Sequence, residues 1–177
     1  KSIKVMTLPG LDELITKPEN ISHFRDISIH DLLGRAEVSP DKELMLENIS
    51  SKNVLISGAG GSIGSELCRQ IIKWNPNSII LLDVSEFALY NIAGELEKAI
   101  EGKDIQLTII AGSVQDIFDL EYRLKPLEIN TIFHAAAYKH VPLMEVNVVQ
   151  CVKNNSFATN AFAELAIKLG IENFTLI

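Results

Sequence analysis

From residue 52 onward, short apolar runs alternate with stretches whose apolar residues recur every third or fourth position. The runs fall at residues 53–57, 78–82, 105–110, 131–134 and 174–177. Each is short and nearly continuous in apolar character, as expected for parallel strands covered on both faces. Between them, Ile63, Leu67 and Ile71 form one helical stripe, with Glu66, Arg69, Gln70 and Lys73 facing away. Leu89, Ala93, Leu96 and Ile100 form a second behind Ser85, a good N-cap. Phe157, Ala161, Leu165 and Leu169 form a third, closed by Gly170. Strand–helix–strand alternation of this kind predicts an α/β fold, a Rossmann-like doubly wound parallel sheet that reaches its fifth strand at the end of the chain.

Residues 1–50 read differently. Short apolar patches mix with Pro9, Pro18 and Pro40, and no period is sustained. The pattern predicts helical turns at 11–15, 29–33 and 42–47, with Gly34 as a helix stop. We expect an arm or linker from an upstream domain over 1–50 and a dinucleotide-binding domain over 51–177. The absence of a leading Met and the strand-like ending "NFTLI" make a fragment of a longer protein the expectation.

Glycine is concentrated where the first strand meets the first helix, in "SGAGGSIGSE". Gly58, Gly61 and Gly64 are spaced G-x-x-G-x-x-G. Gly58 suits a tight turn, Gly61 leaves room for a pyrophosphate against the backbone, and Gly64 lets the helix lie close to the sheet. The N–H groups of Ser62, Ile63 and Gly64 would then face an anion at the helix N-terminus. Ile63 occupies the place of the last glycine in the stricter G-x-G-x-x-G, and no Lys follows as in a Walker loop. Asp83 ends the second strand, where a carboxylate accepts hydrogen bonds from ribose hydroxyls and repels a 2′-phosphate. Val84, Ser85 and Glu86 offer no cation to hold that phosphate, so NAD is expected over NADP.

The third strand runs into "AGSVQD", which places Ser113 and Val114 beside the adenine of such folds, with Asp116 as a helix cap. Ala135, Ala136 and Ala137 end the fourth strand with small side chains that leave space for a flat ligand. Lys139 lies just outside, within reach of a ribose or phosphate. Tyr138 and His140 have weaker claims, and His134 reads as a structural core histidine.

Composition narrows the field. The 177 residues carry a net charge of −7, against the basic footprint of a nucleic-acid binder. No run reaches the length of a membrane span. Cys68 and Cys151 suggest neither a zinc site nor a disulfide framework, which fits a reducing, cytoplasmic setting. No metal site is expected.

The set SGAGGSIGSE, LLDVSE, GSVQD, HAAAYKHVPLME and KNNSFATN resembles the nucleotide-sugar 4,6-dehydratases of bacterial polysaccharide biosynthesis, in the extended short-chain dehydrogenase/reductase superfamily. The long, membrane-anchored form acting on UDP-N-acetylglucosamine is most similar; "LPGLDELI" and "FRDISIHDLLGR" resemble its interdomain linker. The resemblance implies NAD(P) held by Gly58, Gly61, Ser62, Ile63 and Gly64, with Asp83 on the adenosine ribose. It implies Ala135, Ala136 and Ala137 on the nicotinamide side, with Lys139 near the nicotinamide ribose. Asn155 resembles the Asn of an N-x-x-G-T stretch near the cofactor, with Ala158 in place of Gly. Ser113 replaces an Asp that contacts adenine in many relatives. The family's proton-moving groups, a Ser/Thr-Asp-Lys segment and a Tyr- or Met-x-x-x-Lys pair, follow the fifth strand. No catalytic residue is therefore expected among these residues, nor turnover from them. The resemblance further implies a UDP-sugar substrate, a parent anchored on the cytoplasmic face of the inner membrane, and compatibility with a homo-oligomer. A related epimerase or reductase, or a dinucleotide-sensing module without chemistry, are the alternatives.

Overall fold

The structure is a computed structural model, and it describes residues 6–7, 25–27 and 41–177. The chain divides into two compact units, Lys1–Pro40 and Asp41–Ile177. In the first, Met6–Thr7 pairs antiparallel with Arg25–Asp26. The helical turns expected at 11–15 and 29–33, the Gly34 stop and most of the expected arm lie outside the described residues.

The second unit begins with helix α1 (Lys42–Ile49), capped by Asp41, whose carboxylate accepts the N–H groups of Glu43 and Leu44. Ile49 is buried in the same core as the sheet, so this helix packs as part of the α/β unit. Five strands follow: β1 (Asn53–Ser57), β2 (Ser78–Asp83), β3 (Gln106–Ala111), β4 (Thr131–His134) and β5 (Asn173–Leu176). All pair in parallel, in the order β3-β2-β1-β4-β5. The chain thus winds outward from β1 in one direction and from β4 in the other. The crevice between those two neighbours is the topological switch point, where doubly wound sheets take their ligands.

Alternation along the strands sends side chains to two cores. Val54, Ile56, Ile79 and Leu81 pack under α2 (Ser62–Ile71) and α3 (Glu86–Ala99). Leu55, Ile80, Leu82, Ile110 and Ile132 pack under α4 (Ile117–Leu124) and α7 (Thr159–Lys168). The central strands are buried on both faces, as expected; β3 and β5 are the sheet edges, and Ile109 on β3 is 45% exposed. Between β4 and α7 lie two short helices, α5 (Val141–Glu145) and α6 (Val148–Val152), and a π-helical turn, Lys153–Ala158.

Two predicted stripes are displaced. In α2 the buried residues are Gly64, Cys68 and Ile71, while Ile63 is 53% exposed. The helix presents its bare Gly64 to the main chain of Gly58, just past the end of β1, and that close approach, rather than the bulk of Ile63, sets its phase. Before α7 the π turn inserts extra backbone and rotates the face. Ala158, Phe162, Leu165 and Ala166 are buried there, and Phe157 is 68% exposed. Gly170, at φ +71°, ends α7 as expected.

The approach of α2 is tight. A Cβ on Gly64 would collide with the carbonyl oxygen of Gly58. A Cβ on Gly94, in α3, would meet nothing within 4 Å. Gly64→Ala is expected to cost about 1–3 kcal/mol through overpacking, whereas Gly94→Ala should stabilise by about 0.5–1 kcal/mol through the unfolded chain. Urea unfolding of the two variants beside the parent chain measures both.

Candidate functional site

Three loops meet at the carboxyl ends of the strands. The β1–α2 turn is built on Gly58, whose φ is +69°. A Cβ there would sit 2.7 Å from the Ala135 carbonyl oxygen, so the turn lies directly on the end of β4. The N–H groups of Gly58 and Ala59 both donate to the Leu82 carbonyl, which ties the turn to β2 as well. Gly61 then precedes α2 and supplies no capping side chain. The first helical bond is Ser65 N–H to Gly61 O at 2.9 Å. The N–H groups of Ser62, Ile63 and Gly64 are thus left without an intrahelical acceptor, at the positive end of the helix dipole.

Asp83 projects from the end of β2. One carboxylate oxygen accepts the Gly60 N–H at 2.9 Å, and the other accepts the Ser85 N–H at 2.9 Å. Gly60 is required for this: a Cβ on it would run into the Ala88 methyl and lie 3.2 Å from the same carboxylate. The carboxylate is therefore fixed in orientation by main-chain donors before any ligand arrives, and it keeps lone pairs to spare beside the cleft it lines.

The cleft has a volume of about 180 Å³. Gly58, Gly61, Asp83, Ser113, Val114 and the three alanines Ala135, Ala136 and Ala137 all line it. Ser62, Ile63, Gly64, Lys139 and Asn155 lie outside its wall. Lys139 reaches across instead: its ammonium donates to Ser62 Oγ at 2.9 Å, beside the uncapped end of α2. A cation held against the positive end of a helix is an arrangement that an anion would relieve. The Ser113 hydroxyl accepts the Gln115 N–H at 3.1 Å and so shapes its own loop. Asp116 caps α4 by accepting the Asp119 N–H, as expected.

Asn155 clips the third loop in place. Its Oδ1 accepts the Tyr138 N–H at 2.9 Å, and its Nδ2 donates to the Tyr138 carbonyl at 2.8 Å. The neighbouring Asn154, 8% exposed, lines the cleft. Gln115 Nε2 donates to its Oδ1 at 3.1 Å. Asn154, Gln115 and Gly60 are not among the residues expected from the sequence. The doubled Asn in "KNNS" is the one signal present, and only the π turn reveals which face each amide takes.

His134 is 1% exposed, with Nδ1 2.6 Å from Ser57 Oγ and Nε2 2.9 Å from Thr159 Oγ1. It thereby joins β1, β4 and α7. Burial lowers its pKa below the usual imidazole value, so the ring is held neutral. Cys68, also buried, has its thiol pushed up to about 12, which removes it from thiolate chemistry. Among the described residues, no group of three or more His, Cys, Asp or Glu side chains is placed to hold a metal ion. No helix there is long and apolar enough to cross a membrane.

The neutral His134 carries a pH dependence. The unfolded chain protonates near the ordinary imidazole pKa of about 6.5, while the folded chain resists that proton. Stability should therefore be fully present above about pH 6.5 and fall as the pH drops towards the folded-state value. Unfolding free energies measured from pH 7 to 5 should show that fall, with a shallower slope in His134→Gln.

Comparison with known proteins agrees with this arrangement. A family model described as "Polysaccharide biosynthesis protein" matches residues 54–177. The chain is 43% identical over 176 residues to the probable polysaccharide biosynthesis protein EpsC of Bacillus subtilis, covering 99% of this chain and 29% of that protein. It is 26% identical over 124 residues to the UDP-N-acetylglucosamine 4,6-dehydratase (inverting) of Campylobacter jejuni, covering 70% of this chain and 35% of that one. Among solved structures, it superposes with a TM-score of 0.60 and 19% identity on a UDP-glucose-4-epimerase from Stenotrophomonas maltophila with bound NAD and formylated UDP-arabinopyranose, covering 71% of this chain and 36% of that one. That likeness shows the Rossmann-like fold. The chain thus spans about a third or less of the length of these proteins. With the glycine turn, the acid at the end of β2 and the alanine-ended β4 inside the matched region, the chain belongs to the polysaccharide biosynthesis protein family of the EpsC and CapD type, which includes the UDP-N-acetylglucosamine 4,6-dehydratases.

Proposed function

We propose that residues 51–177 are the NAD-binding portion of a nucleotide-sugar 4,6-dehydratase of surface-polysaccharide biosynthesis, acting in its full-length form on UDP-N-acetylglucosamine. The observation that carries this reading is the uncapped N-terminus of α2 beside the fixed carboxylate of Asp83, both at the switch point of the sheet. Diphosphate and ribose are the two chemistries those groups recognise.

The residues fit a dinucleotide. The N–H groups of Ser62, Ile63 and Gly64 would take the pyrophosphate over the bare backbone of Gly61, and Lys139 would add a positive charge there. Asp83 would accept from the adenosine ribose hydroxyls. Val114 and Ser113 border the adenine side, and the alanines after β4 leave a flat, apolar wall for nicotinamide. When bound, the nicotinamide supplies hydride transfer to and from the sugar. The protein's part within these residues is to bind and orient.

Charge favours NAD over NADP. Asp83 would face a 2′-phosphate directly. Arg69, which borders the adjoining groove with Gly60, is engaged by Glu95 at 2.6 Å and Glu66 at 3.1 Å. It has no free charge to offer. The resemblance places the proton-moving residues beyond the fifth strand, so the 177 residues should bind cofactor without turning over substrate.

Calorimetric titration of the 177-residue chain with NAD, NADP and UDP-N-acetylglucosamine tests this. NAD should bind, and NADP more weakly. Asp83→Ala should weaken NAD by about 10-fold or more, the worth of a hydrogen bond to a charged group, and narrow the gap to NADP. Heat exchange with neither dinucleotide would sink the reading, as would 4,6-dehydration by these residues alone for its non-catalytic part.

A further inference from the structure

We infer that His134 is a positioning residue for the dinucleotide crevice: in one neutral tautomer it holds the end of β1 through Ser57, and its protonation weakens cofactor binding. This rests on the NAD-binding reading above and gives that site a control by pH.

The two hydroxyls against the ring differ in their alternatives. Ser57 is fully buried, and among the described residues its hydroxyl has one partner, His134 Nδ1, at 2.6 Å. A buried O–H with a single neighbour donates to it, so Nδ1 is the acceptor. A neutral imidazole has one donor nitrogen and one acceptor. Nε2 therefore carries the proton and donates to Thr159 Oγ1 at 2.9 Å. Thr159 is half-buried, and its own O–H can turn to water or back along the helix. The reverse tautomer would leave the Ser57 O–H with no acceptor.

Protonation fills Nδ1 and sets two donors face to face across that short contact. The disturbance falls where the site is tightest. Ser57 and His134 are register partners of β1 and β4, and the Ala135 N–H donates to the Ser57 carbonyl at 3.0 Å. The next residues, Gly58 and Ala135, are the pair whose main chains lie too close for a Cβ between them. A shift of Ser57 against His134 therefore moves Gly58 against Ala135, and both of these line the cleft. The side chains packed on the ring are uncharged: Ser57 from β1, Thr159 and Phe162 from α7, and Phe174 from β5, the two phenyl centroids lying 5.5 and 5.8 Å from the imidazole. None of these side chains compensates a charge on the ring, and burial favours its neutral form. His140, on the loop that leaves β4, is exposed and stands apart from this contact.

Calorimetric titration of the full 177-residue chain with NAD between pH 8 and pH 5 tests this, with a ligand-free thermal midpoint at each pH to establish that the protein is folded. Affinity should be level above about pH 6.5 and fall below it, by up to about tenfold per pH unit, the slope of one proton taken up. His134→Asn puts an amide oxygen near the place of Nδ1, where it accepts from Ser57 and does not titrate; its NAD affinity should stay level across the range. His140→Gln should keep the parent's fall. Imidazole nitrogen NMR of the ligand-free parent chain at pH 8 should show the Nε2–H tautomer, a readout that needs no variant to fold. An Nδ1–H tautomer, a level parent profile, a His134→Asn profile as steep as the parent's, or a level profile in His140→Gln overturns the assignment while leaving the NAD-binding reading intact. A parent chain that binds no NAD at pH 8 removes that reading first, and the pH control with it.

Discussion

The tight contact between helix and sheet governs this molecule. Helix α2 lies against the β1 turn at Gly64, where the Gly58 carbonyl occupies the space of a side chain. Gly58 in turn rests on the main chain at the end of β4. These two contacts put the open end of α2 directly over the crevice between β1 and β4. A larger residue at either place would lift the helix, and the N–H groups of its first turn would no longer face the cleft. The placing of the positive end of α2 thus follows from backbone packed on backbone.

The second constraint is orientation of charge. Asp83 is fixed by two main-chain donors, from Gly60 and Ser85. A carboxylate so held needs little rearrangement to meet a ligand, which is the physical content of preorganisation. Away from it, Lys139 leans on Ser62 beside the positive end of α2. The carboxylate and the ammonium therefore sit at separate places around the carboxyl ends of the strands.

The polar groups that hold the loops are side chains used as if they were backbone. Asn155 pairs with both main-chain groups of Tyr138, in the manner of a strand partner. His134 bridges Ser57 and Thr159 within the core. The His134 bridge is the costlier of the two to break, because doing so would strand a buried donor or acceptor.

Much was legible in the sequence because it depends on local pattern. Apolar runs located all five strands to within a residue or so, since a strand buried on both faces admits few polar residues. Glycine spacing located the β1–α2 turn, and Ser85, Asp116 and Gly170 marked helix ends through short-range hydrogen bonding and backbone freedom. Tertiary structure decided the rest. The phase of α2 came from its approach at Gly64, which apolar periodicity does not record. The displaced face before α7 came from the π turn, whose extra residue breaks the 3.6 repeat on which the stripe was read. The division between Asn154 and Asn155 came from partners 39 and 17 residues away, at Gln115 and Tyr138. Patterns of neighbours along a chain fix elements and their ends; which of two adjacent amides meets the cleft is fixed only when distant loops have folded around them.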